Sequence, residues 1–307
     1  MNVDSRPVSF GDFFDHDSLM DMMKELQSKY DFLEVYCIGK SIYGKDIPSI
    51  SLGKGNKSVI YVGGHHGMEW ITCALLVRFI YEFCESYQRG DHIFDVSTRV
   101  LYETRRIHIV PMLNPDGIGY AIHGVSKENV IYDRLLKMNN GSNDFSRWQA
   151  NARGVDLNHN YCSGFKEYKI IEKEMGFYNG APSKFSGEYP ESEPETRALC
   201  SFVRIVQPEA ALTLHTQGEE IFYTSGERLA SSSLPIVKTL SRLTGYKISI
   251  PTGSARYGGF TDWFIDEYEK PSFTLECGRG TNPLPFTDCD MIYSRIKRAL
   301  FTFPILI

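Results

Sequence analysis

Ser58-Val-Ile-Tyr-Val-Gly-Gly-His-His-Gly-Met-Glu-Trp70 decides how the rest of the chain reads. A short apolar run, Ser58 to Val62, stops at Gly63-Gly64, and helical spacing begins at Trp70 and continues to about Ser86. A strand that passes into a helix through paired glycines is a building unit of layered α/β folds. The same grammar returns three times: Ile107 to Met112 ends at Asn114-Pro115-Asp116-Gly117, Ala210 to Leu214 ends at His215, and Ser272 to Leu275 ends at Glu276. Apolar runs of this kind, separated by helical stretches such as 192–206 and 231–243, belong to strands buried on both faces. The expected fold is α/β, a single domain on a twisted, mixed, mostly parallel sheet with helices on both faces. Ligands of such sheets bind beyond the carboxyl ends of the strands, so a histidine of His65-His66, Asn114 with Asp116, His215 and Glu276 are expected at one edge.

Around this frame, Leu19, Met22, Met23 and Leu26 recur at helical spacing after Asp17 and Ser18, which are expected to cap an opening helix. Residues 33–39 and 46–52 read as strands either side of a Tyr43-Gly44-Lys45 turn, and residues 1–50 are expected to pack on one domain spanning 1–307. Residues 121–152 are the least regular, with 139–143 as an exposed loop.

Composition excludes several classes. The 33 Lys and Arg against 38 Asp and Glu give a net charge of −5 without a basic cluster, so no nucleic-acid partner is expected. No segment has the uninterrupted apolar length of a membrane span, so no membrane partner is expected either. The first residues carry acidic groups and lack the apolar run of a secretory leader, which points to a cytoplasmic protein. Seven cysteines without a CxxC pair suggest neither a disulfide framework nor a thiolate zinc site. Most are expected as buried small hydrophobes, with Cys277, beside Glu276, the one placed for chemistry. Oligomeric state is left open by these features.

His66 and Glu69, three apart on a helical turn, could converge on one cation, as could His65 and Glu69, four apart. Spacing does not choose between the histidines. A catalytic zinc needs a third ligand and an open position for water, and His215 is the candidate. Glu276, in Phe273-Thr-Leu-Glu-Cys277, is placed to move protons. The polar segment from Trp148 to Tyr161 could supply an arginine for an oxyanion, an aspartate to orient a histidine, and amides for substrate. Each element has a plainer counterpart: HxxE recurs by chance, a lone histidine is usually a core residue, and a polar loop can satisfy itself. Their shared strand edge is what gives them weight together.

Taken in order, HGMEW, NPDG, GVDLNHN, LTLHTQG, GGFTDW and FTLEC resemble the zinc metallocarboxypeptidase family related to carboxypeptidase A, from about Ile38 onward. The resemblance implies one Zn2+ per chain on His66, Glu69 and His215, with Glu276 as the catalytic glutamate. It further implies Asp156 behind the first ligand histidine and Arg153 as the oxyanion arginine. Two departures matter. Asn158 is followed by His159, where relatives that remove a free C-terminal residue carry an arginine for the terminal carboxylate, and imidazole lacks the guanidinium fork. No tyrosine holds the usual place in the mobile loop, so Arg256 is the expected anion clamp and Tyr257 a displaced phenol, with Asn158 and His159 as further substrate contacts.

WQANARGVDLNHN, SARYGGFTDW and LECGRGTNPLP resemble the bacterial branch that cleaves the bond between the γ-carboxyl of D-glutamate and meso-diaminopimelate, which implies a peptide or muropeptide substrate. The competing expectations are a general metallocarboxypeptidase, a zinc-dependent deacylase of N-acyl amino acids, and a catalytically silent wall-fragment binder. The last has no use for Glu276.

Overall fold

Asp15 starts the first helix, His16–Lys29, in a computed structural model that describes residues 11–307. Residues 1–10 of the expected N-terminal packing segment lie outside the described residues. The Asp15 carboxylate accepts from the Ser18 N–H at 2.9 Å, so the cap falls earlier than Asp17 and Ser18, both of which are inside the first turn. Leu19, Met23 and Leu26 are buried, as their spacing predicts.

The strands are β1 (Glu34–Lys40), β2 (Asp46–Leu52), β3 (Lys57–Val62), β4 (His92–Ile93), β5 (Val96–Ser97), β6 (Arg105–Val110), β7 (Ala210–His215), β8 (Glu220–Phe222), β9 (Lys247–Ile248) and β10 (Ser272–Glu276). Eight of them form one sheet in the order β1-β2-β6-β3-β7-β10-β8-β9, and β4 and β5 pair separately. The four central strands, β6, β3, β7 and β10, are mutually parallel, while β1, β2 and β8 join antiparallel. The fold is therefore the mixed, mostly parallel α/β sheet that the apolar runs predict.

Alternation along the strands divides the core in two. Val59 and Tyr61 of β3, with Leu212 and Leu214 of β7, pack with the helix Ile71–Arg89 and with Ile296 and Leu300 of the helix Cys289–Thr302. Ile60, Val62 and Ala211 face the other way, against Leu199 and Val203 of the helix Pro194–Val206 and Phe260 and Phe264 of the helix Phe260–Tyr268. Both faces are covered, which explains why the central strands read as unbroken apolar runs.

Register places the chemistry. In the parallel β7–β10 pair, Glu276 stands opposite His215, and the Cys277 N–H donates to the His215 carbonyl at 2.7 Å. Beyond β3 the chain turns at Gly64, whose φ of +64° and contact with the Met112 backbone both favour glycine. His66 then precedes a 3₁₀ turn, Gly67–Glu69, before the α-helix begins at Ile71. His66 and Glu69 thus meet across a tighter turn than the α-helical one expected.

Asn114 and Asp116 do not join the edge cluster. Asn114 caps an unforeseen helix, Pro115–His123, accepting from the Gly117 N–H at 2.9 Å and donating to the carbonyls of His65 and Ala150. The Asp116 carboxylate accepts from the Tyr43 N–H at 3.0 Å. These bonds brace the segment carrying His65 and His66 rather than reaching a ligand. Among the described residues, no helix is long and apolar enough to cross a membrane.

Gly67 separates His66 from Glu69, and a Cβ there would lie 2.5 Å from the Gly117 carbonyl oxygen and 2.7 Å from that of Trp148. Backbone cannot yield as a flexible side chain does. Gly67→Ala is expected to cost about 1–3 kcal/mol of stability in denaturant titration. A variant as stable as the parent would show that this crossing is not rigid.

Candidate metal centre and active site

His66, Glu69 and His215 are buried together, with one ligand atom from each lying within 4.8 Å of the others. His66 Nδ1 is 2.9 Å from Glu69 Oε1, His215 Nδ1 is 3.1 Å from Glu69 Oε2, and the two Nδ1 atoms are 3.3 Å apart. Behind the first histidine, His66 Nε2 lies 3.2 Å from Asp156 Oδ1. With a carboxylate as acceptor, Nε2 keeps the ring proton, so it is Nδ1, hydrogen-bonded to Glu69 while protonated, that frees a lone pair when a cation displaces its proton. Lone pairs from two imidazoles and a carboxylate then face one point, an arrangement that suits a divalent cation. Of the two histidines that spacing allowed, it is His66 that meets Glu69 and His215, while His65 Nε2 lies 3.0 Å from the Tyr161 hydroxyl.

Asp156 is itself closely held. Its carboxylate accepts from Gln149 Nε2 at 2.9 Å, the Lys184 N–H at 2.9 Å and the Asn158 N–H at 3.2 Å. Burial alone would raise this carboxyl, but His66 and the other partners outweigh it and hold it well below the usual range. Burial likewise opposes the His66 imidazolium, yet Glu69 and Asp156 prevail and hold it well above the usual histidine range. Glu69, against its own burial, is pulled down to about 2 by the two histidines. This buried pocket of negative potential favours a cation.

Glu276 borders the same cavity, of about 220 Å³, that His66, Glu69 and His215 line. Burial first, and the Glu69 charge second, push its carboxyl up to about 8. A cation held by the two histidines and Glu69 acts in the opposite direction, favouring the carboxylate that can accept a proton. Cys277, next along the chain, is buried with its thiol pushed well up by burial, so it does not offer the reactive thiol its position suggested.

The other expected site residues divide. Asn158 and His159 line the cavity. Asn158 Oδ1 accepts from the Phe260 N–H at 3.1 Å, which fixes the amide and leaves its NH2 group for a ligand. His159 stacks on Tyr168 with ring centroids 3.9 Å apart, pairs through Nδ1 with the Tyr257 carbonyl at 2.8 Å, and is held below the usual histidine range chiefly by burial. Arg153, Arg256 and Tyr257 are placed elsewhere. The Arg153 guanidinium pairs with Glu193 at 3.0 Å and borders a different cavity, with Arg134 and Tyr178. Arg256 lies over the Tyr257 ring and beside Gly226, and the Tyr257 ring packs on Gly164. Among the described residues, no arginine lines the central cavity.

Gln149 and Lys184 line it unforeseen. Gln149 lies within the polar segment, where its neighbour Trp148 was the landmark, and its amide bonds to Asp156 gave no signal in the sequence. Lys184 is brought in from a separate loop.

A buried His-Glu-His set beside a further buried carboxyl, at the carboxyl edge of a parallel sheet, has the make-up of a metal-dependent hydrolase site. The chain belongs to the zinc carboxypeptidase family, whose model matches residues 19–289, and is accordingly a metallopeptidase using one zinc. It is 34% identical over 281 residues to "Gamma-D-glutamyl-L-diamino acid endopeptidase 1" of Lysinibacillus sphaericus, covering 91% of this chain and 69% of that protein. In fold it matches the crystal structure of thrombin activatable fibrinolysis inhibitor, with a TM-score of 0.70 and 23% identity over 95% of this chain and 73% of that one. The murein-tripeptide amidase MpaA from Escherichia coli O157 matches with a TM-score of 0.55 and 21% identity, over 87% of this chain and 91% of that one.

His66→Ala and His215→Ala are each expected to abolish stoichiometric zinc, measured by elemental analysis after dialysis. Asp156→Asn should retain the ligands but weaken zinc binding by about 10–100-fold in chelator competition. Undiminished zinc in either histidine variant would remove that residue from the ligand set.

Proposed function

We propose that the protein hydrolyses the amide between the γ-carboxyl of a D-glutamyl residue and a diamino acid such as meso-diaminopimelate in cell-wall peptides. The observation that carries the substrate is the identity, over nearly the whole chain, with a relative named for γ-D-glutamyl-diamino acid cleavage. The cavity supports it from another side. A general carboxypeptidase needs a fork for the terminal carboxylate, whereas the cavity here offers a stacked imidazole held toward neutrality at His159. Seven unpaired cysteines suit a reducing compartment, and we place the reaction in the cytoplasm.

In this reading His66, Glu69 and His215 hold the zinc. When bound, the ion supplies Lewis acidity to a carbonyl oxygen and brings the pKa of water near about 7. Asp156 fixes the His66 ring so that Nδ1 faces the centre. Glu276 takes the proton of the attacking water and returns it to the leaving amine. Its register with His215 keeps that carboxylate beside the ligand set. The fixed Asn158 amide can donate to a substrate oxygen.

Glu276→Gln should retain zinc and thermal stability while turnover falls by about 10²–10⁴-fold, because the amide keeps the shape and cannot accept a proton. Turnover within a few-fold of the parent would assign the proton transfer elsewhere. For the substrate, L-Ala-γ-D-Glu-meso-diaminopimelate is incubated beside an α-linked peptide with a free C-terminus, and products are resolved by mass. Release of diaminopimelate from the γ-linked peptide is expected. Trimming of the α-linked peptide alone would identify a general carboxypeptidase instead.

A further inference from the structure

Lys184 is the one lysine or arginine lining the central cavity among the described residues. Its ammonium group makes no hydrogen bond or ion pair with any described residue, and the side chain is exposed. The backbone beneath it, in contrast, is fixed on both sides. The Lys184 N–H donates to Asp156 Oδ2 at 2.9 Å, and its carbonyl accepts from the Tyr168 hydroxyl at 3.0 Å. Adjacent residues are tied to the same polar segment: the Pro182 carbonyl accepts from the N–H groups of Gln149 and Ala150, and the Phe185 carbonyl from that of Asp156 at 2.7 Å.

Held this way, Lys184 adopts a φ of +65°, in the left-handed region that favours glycine. A residue with a long cationic side chain is therefore kept where glycine would be less strained, one backbone hydrogen bond from the carboxylate that orients His66. Such strain persists where the surroundings over-determine it, as these hydrogen bonds do here. A solvated surface lysine explains the exposure, but not the placement at the cavity wall.

We propose that Lys184 pairs with a carboxylate of the substrate on a residue flanking the scissile amide. Arg256, outside the cavity lining, and His159, held toward neutrality, do not supply that anion recognition. The proposal rests on the peptidase reading of this cavity. A γ-linked glutamyl residue leaves its α-carboxylate free, and a diamino acid leaving group carries its own, so one ligand chemistry has two sources.

The test compares parent protein, Lys184→Met, Lys184→Arg and Lys184→Gly, each zinc-loaded, on three γ-linked peptides: unmodified, amidated at the glutamyl α-carboxylate, and amidated on the diamino acid. Lys184→Met should raise KM for the unmodified peptide by about 10–100-fold with kcat within a few-fold, and Lys184→Arg should restore most of it. One amidated peptide should cost the parent the same factor and cost Lys184→Met nothing further, which identifies the paired carboxylate. Zinc content and thermal stability should hold, since the backbone bond to Asp156 does not need the side chain. Lys184→Gly removes the ammonium and relieves the strain, so if Lys184→Met folds poorly the discrimination is read on the glycine variant.

Discrimination against both amides that is unchanged in the variants, or a fall in kcat without a rise in KM, overturns the assignment. Failure of the substrate reading looks different: the parent protein leaves the γ-linked peptide intact. The comparison then runs on the α-linked peptide and its C-terminal amide, with the same supporting and contrary outcomes.

Discussion

Two carboxylates, Glu69 and Asp156, are buried on either side of one imidazole, and the rest of the site is arranged around the need to keep them charged there. Burying a carboxylate without a partner costs several kcal/mol. Asp156 avoids that cost through His66, the Gln149 amide and two backbone N–H groups. Glu69 has the two histidine rings, the Thr216 N–H at 3.2 Å and the Asn282 amide at 3.4 Å. Without their shared protons, the ring nitrogens and the Glu69 oxygens are electron-pair donors directed at one point, which a divalent cation satisfies by bonding to all of them together. The loops carrying Asp156 and Lys184 are stitched to each other by the same hydrogen bonds, so the orientation of His66 and the shape of the cavity wall are one structural problem.

The parallel sheet solves the other half. Strand register is fixed wherever both faces are buried, because a one-residue slip would turn every apolar side chain to the wrong face. Pairing β7 with β10 in that fixed register sets Glu276 beside His215 without any dedicated contact between the two side chains. Helices on both faces enforce the register, which links the apolar core to the placement of the carboxylate proposed to carry the proton.

The central sheet was legible because its strands are buried on both faces and so appear as unbroken apolar runs. The cluster that could hold a metal was legible because His215 ends one of those runs and His66 and Glu69 follow closely on another. What escaped had short or ambiguous signals. β8 and β9 have three and two residues, too few for any periodicity. Asn114-Pro115-Asp116-Gly117 has the composition of a turn, but asparagine at a cap followed by proline in the first turn also starts a helix, and here it does. Arg153 and Arg256 were assigned by position within loops, whose side chains are aimed by distant partners such as Glu193 and by backbone path rather than by local pattern. Lys184 reaches the cavity through pairing between segments some thirty residues apart, and no local spacing encodes that.

The measurement that bears most directly on this account is a crystal structure of the zinc-loaded protein with anomalous diffraction recorded on both sides of the zinc absorption edge. The account predicts one anomalous peak bonded to Nδ1 of His66, Nδ1 of His215 and the Glu69 carboxylate, with Asp156 still on His66 Nε2. A peak ligated by His65, coordination through the Nε2 atoms, or zinc found only outside this cluster would contradict it.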